Sequence, residues 1–90
     1  MFRYKKSIHV PYERQGYIYF TTRAYDSLPE WQRGRIRQLC EKAGGEYSKA
    51  LFEFVTTDTG AVAVCMRHNL SEDTLMRVVK KYYESFPKKL

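Results

Sequence analysis

The sequence predicts a mainly α-helical fold with an N-terminal β-hairpin, closing on two helices joined by a tight turn. Three observations predict it. Residues 27–43 and 71–86 carry apolar side chains at helical intervals between recognisable start and stop signals. Residues 16–21 (Gly-Tyr-Ile-Tyr-Phe-Thr) are dominated by β-favouring types and follow a turn-like stretch. Ninety residues at 43% hydrophobic and 16% aromatic suit one small packed core rather than a disordered tail.

The hairpin comes first. Residues 4–10 mix polar and β-favouring side chains, 11–16 read as a turn, and Pro11 marks the end or the edge of the first strand. On the second strand Tyr17 and Tyr19 would share a face. Residues 1–22 are thus a basic arm plus hairpin.

A helix over 27–43 follows. Ser27 and Glu30 have capping-box spacing, with Pro29 in the first turn, where its missing N–H costs little. Leu28, Trp31, Ile36, Leu39, Cys40 and Ala43 recur as the apolar set, and Gly44-Gly45 supplies a left-handed stop. Gly34 weakens the interior by about 1 kcal/mol relative to Ala. Residues 46–57 are ambiguous. Tyr47, Ala50, Leu51, Phe54 and Val55 have amphipathic helical spacing, yet 52–55 and 61–66 also fit two strands about Asp58-Thr59-Gly60. That second choice gives an α+β alternative, β-α-β-β-α. The last helix is set by Leu75, Val78, Val79, Tyr82 and Phe86 on one face, with Ser71 as N-cap and Pro87 as stop.

Residues 61–86 form a helix-turn-helix domain in the first reading. Its requirements are met by residue type. A small residue, Cys65, stands where two helices cross closely. Asn69 stands at the turn, where positive φ is needed. Leu70 plugs the core, Ser71 caps the second helix, and Leu75 and Val78 anchor it. The segments Val64-Cys65, His68-Asn69-Leu70-Ser71 and Thr74-Leu75 resemble the motif of sporulation regulators, resolvases and sigma-factor region 4. That resemblance implies a second helix that enters the DNA major groove. Residues 16–20, 50–57 and 81–84 also resemble small proteins of Firmicutes conjugative transposons, implying a mobile-element origin.

Charge is consistent with such a partner. The net charge is +6, and it is uneven: eight basic against three acidic residues in 1–40, three against four in 41–70, five against three in 71–90. Under the resemblance the outward face of the second helix is Ser71, Glu72, Asp73, Met76, Arg77, Lys80 and Lys81. Arg77 is suited to a guanine edge or a phosphate, and Lys80 and Lys81 to phosphates. Arg3, Lys5 and Lys6 form an arm that would track the backbone. Glu72 and Asp73 are the dissonant pair, since they favour the helix dipole but repel phosphates. Their presence, and the tyrosine content, suit the rival reading of a protein-interaction module.

Other chemistry is not nominated. No phosphate loop, metal-ligand pairs or nucleophile signature occurs in the sequence, so no enzymatic activity, cofactor, metal or small-molecule ligand is expected. Cys65 and His68 lack a second ligand pair for zinc, His9 stands alone, and Cys40 and Cys65 read as buried free thiols. No apolar run reaches the roughly 18 residues of a membrane span, and 1–6 do not read as a signal peptide. A reduced cytoplasmic protein, acting on double-stranded DNA as a homodimer, is the expectation.

Overall fold

The computed structural model describes residues 4–90, and it is mainly helical. The order is α1 (Tyr12–Arg23), a 3-10 turn (Tyr25–Ser27), α2 (Glu30–Gly44), a second 3-10 turn (Gly45–Tyr47), α3 (Ser48–Thr56), α4 (Ala61–His68) and α5 (Glu72–Ser85). Among the described residues there is no strand. Both the N-terminal β-hairpin and the β-α-β-β-α alternative are therefore corrected.

The hairpin fails for a local reason. Pro11, expected to end a strand, is the N-cap of α1 at φ −58° and ψ 154°, and its carbonyl accepts from the Gln15 N–H at 2.9 Å. Residues 16–21 run on as helix. Their buried stripe is Gln15, Ile18 and Thr22, the i, i+3, i+7 pattern of a helix face. Two of those three are polar, so apolar periodicity could not reveal it. Tyr12, Tyr17 and Phe20 stay exposed.

The segment before α1 has no strand partner, so its backbone groups must be satisfied in another way. Gln15 does this from a fully buried position. Its Oε1 accepts from Lys5 N at 2.9 Å, and its Nε2 reaches the carbonyls of Lys5 and Val10 at 3.0 Å and of Ile8 at 3.4 Å. Ile8 and Val10 are thereby held in the core.

Helix α2 packs on both α3 and α5 and is the centre of the fold. It presents Ile36, Cys40 and Ala43 to Ala50, Leu51 and Val55 of α3 and to Leu75, Val78, Val79 and Tyr82 of α5. It begins three residues later than expected. Leu28 precedes a proline and is extended (φ −82°, ψ 151°), as prolines impose, and Pro29 becomes the N-cap. Ser27 therefore does not cap α2, and Glu30 binds Arg33 and Arg37. Trp31 is exposed rather than part of the apolar face. Its five-residue separation from Ile36 turns it some 140° away at 100° per residue.

Gly45 ends α2 at φ 56°, the positive value the Gly-Gly stop anticipates. At Gly44 an added Cβ would lie 3.3 Å from Leu51 Cδ2, so the missing side chain allows α3 its close approach. A buried polar link joins the first and last helices: Thr22 Oγ1 and the Tyr82 hydroxyl are 2.8 Å apart. Burial pushes the Tyr82 phenol far up. No helix among the described residues is long and apolar enough to cross a membrane.

Candidate nucleic-acid interface

Residues 61–68, the ambiguous stretch, are helical, and the join to α5 is built from the expected residue types. Asn69 has left-handed backbone (φ 58°, ψ 55°) and is the sole non-glycine at positive φ among the described residues. Leu70 N–H reaches back to the Cys65 carbonyl at 3.0 Å, the six-to-one bond that closes a helix end. Leu70 packs on the core, with Cys65 buried beneath. Ser71 Oγ accepts from Thr74 N at 3.1 Å and so caps α5. Leu75 and Val78 are buried as expected. Burial raises the thiol pKa of Cys65, and that of Cys40 to about 12, so both are held as neutral thiols.

A second element clamps α4. Glu53 of α3 accepts from His68 Nε2 at 2.8 Å and also pairs with Arg67. The His68 hydrogen bond, aided by Arg67, holds the Glu53 carboxyl below the usual range. His68 thus has a carboxylate partner. No group of three His, Cys, Asp or Glu among the described residues is placed to hold a metal ion.

The outward face of α5 differs from expectation in detail. Glu72, Asp73, Arg77 and Lys81 are exposed, whereas Lys80 is half-buried. Met76 is a correction, because it packs against the core instead of standing clear. Ser71 is also spent locally, its hydroxyl engaged with Thr74. Glu72 and Asp73 form no ion pair among the described residues, so both remain free carboxylates on the first turn.

The basic residues converge further along. Arg77 and Lys81 line a groove of about 260 Å³ together with Lys42, at the end of α2, and the Gly44-Gly45 backbone. None of the three cations forms an ion pair among the described residues, and Arg77 is tied only to Thr74 Oγ1 at 3.3 Å. Against them stand Glu46, on the same groove, and the C-terminal end of α2, worth roughly half a negative charge. The balance is positive. Lys42 was not among the expected site residues, because only the packing of α2 on α5 brings it beside Arg77.

Of the N-terminal arm, Lys5 and Lys6 do not join this groove. Lys5 is half-buried, its ammonium 5.9 Å from the Phe54 ring centre, and it lines a different cavity. Lys6 is exposed, and Arg3 lies outside the described residues. Other cations are structural: Arg14 donates to the carbonyls of Phe86, Pro87 and Lys88, and Arg23 pairs with Asp58 at 2.7 Å.

Comparison with protein-family profiles, curated proteins and solved structures finds no match. The geometry carries the functional signal. It offers an unpaired cationic groove beside a capped helix, a surface suited to phosphate oxygens.

Proposed function

We propose that the chain binds double-stranded DNA through α4, the Asn69 turn and α5 acting as a helix-turn-helix, as a regulator or accessory factor of a bacterial mobile element. The observation that carries the reading is the convergence of Arg77, Lys81 and Lys42 on one groove, unpaired, along the helix that follows a turn of the expected chemistry. The mobile-element setting rests on the sequence resemblance alone.

The charge layout adjusts how α5 would be used. Its first turn carries Glu72 and Asp73, so phosphates would meet the middle of α5 and the end of α2 rather than the helix start. In a gel-shift assay Arg77→Ala and Lys81→Ala weaken binding while leaving the melting temperature nearly unchanged. An equal loss from Lys49→Ala, on the exposed side of α3, would contradict the site assignment.

One observation favours a second reading. Val62 and Met66 are 59% and 79% exposed on α4, and they share a groove with Leu70 and Glu72. An apolar strip of this kind suits a protein contact. It predicts self-association or partner binding that Met66→Ser abolishes, with no retardation of DNA even at low salt.

A further inference from the structure

Where the N-terminal segment, α1, the end of α3 and α5 meet the loop at 57–60, there is a cavity of about 390 Å³. Tyr19, Phe54 and Tyr83 give it aromatic walls, and Lys5, Arg23 and Asp58 supply its charges. Size and lining match those of small-molecule sites, which are mainly apolar with a few placed polar groups. We propose that this cavity binds a small organic anion of the aromatic carboxylate class, its carboxylate on Lys5 and Arg23 and its ring among the three aromatic side chains.

The charges select the class. Asp58 is already held by Arg23 Nη1, at 2.7 Å, and the same nitrogen donates to the Tyr19 hydroxyl at 2.9 Å. The Lys5 ammonium has no carboxylate partner among the described residues. Arg23 Nε is a buried donor with no acceptor among the described residues, an unusual state in a folded interior. Among the described lining residues, two cations against one carboxylate leave a single positive charge for the ligand. That suits a monoanion and disfavours a phosphate dianion, which Asp58 would repel. The three rings favour a flat body over an aliphatic one, since stacked and edge-on contacts add to simple burial. The inference is independent of the DNA reading, because none of these residues lines the Arg77 groove.

The test is a titration of the isotopically labelled full chain with benzoate, benzyl alcohol and inorganic phosphate, followed by amide shifts. Benzoate should move the amides of Lys5, Arg23, Phe54 and Thr59 saturably, and benzyl alcohol should bind at least about tenfold more weakly, the loss of one charge-assisted contact. Lys5→Gln, whose own spectrum reports that it is folded, should weaken benzoate by about the same factor. Equal binding of benzyl alcohol, the same shifts from phosphate at the same concentration, unchanged affinity in Lys5→Gln, or no saturable shift at these amides would each overturn the proposal.

Discussion

Gln15 replaces a missing strand partner, and removing its amide tests that role directly. In Gln15→Met the side chain keeps its length and its place in the core but loses every hydrogen bond to the 5–10 segment. Three of the four contacts are between 2.9 and 3.0 Å, and the fourth, to Ile8 O, is longer at 3.4 Å. At roughly 0.5–1.5 kcal/mol net for each good bond, the loss is about 2–4 kcal/mol. For a domain of this size that corresponds to a fall of roughly 10–20 °C in melting temperature. Urea denaturation gives the free energy, and amide hydrogen exchange locates it. The Ile8 and Val10 amides, which bond to Lys5 O and Ile8 O, should lose protection first. A variant within about 0.5 kcal/mol of the parent, with those amides still protected, would refute the argument that a single side chain satisfies this segment.

Three further outcomes follow from local geometry. Asn69→Gly should fold with little change, whereas Asn69→Ala should lose about 1 kcal/mol in urea midpoint measurements, because alanine resists φ 58°. Gly34→Ala should gain about 0.5–1 kcal/mol, since the new Cβ meets only Arg37 Nη2, at an ordinary 3.6 Å; a loss there would refute the argument from open space. Glu53 has a depressed folded pKa, so its contribution is present at neutral pH and is lost as pH falls from the ordinary value of 4.5 towards the lower folded value. Urea midpoints at pH 7 and pH 3.5 should therefore differ less in Glu53→Gln than in the parent, and an unchanged difference would remove Glu53 from the account.

What was legible in the sequence was chemistry fixed by near neighbours. The α4–α5 join could be read because Asn69 and Ser71 do their work within a few residues of themselves. The Gly44-Gly45 stop and the α5 face of Leu75, Val78, Val79 and Tyr82 were legible for the same reason. Helix α1 was hidden because its buried stripe is Gln15, Ile18 and Thr22, and β-favouring aromatics occupy the exposed side. Glutamine there looks like a surface residue until the segment it holds is in place. The start of α2 lies later than its capping spacing implies, because Pro29 restricts the backbone of Leu28 and leaves Ser27 outside the helix. At the candidate site, Arg77 and Lys81 could be named from helical spacing alone. Lys42 could not, since it lies thirty-five residues before Arg77 and joins it only through the packing of α2 on α5. Met76 was assigned outward because the buried face of α5 is wider than its strongest apolar positions suggest. Lys5 has the composition of a free arm, but Gln15 holds its backbone and Phe54 lies beneath its ammonium.

The central claim is that Lys42, Arg77 and Lys81 neutralise DNA phosphates together. Its most direct test is the affinity of the chain for a labelled duplex across a salt series, in the parent and in Lys42→Ala, Arg77→Ala and Lys81→Ala. The three cations predict a logarithmic salt slope of about −3 for the parent, made shallower by about one with each cation removed. No binding at low salt, or a slope that the three substitutions leave unchanged, would contradict it.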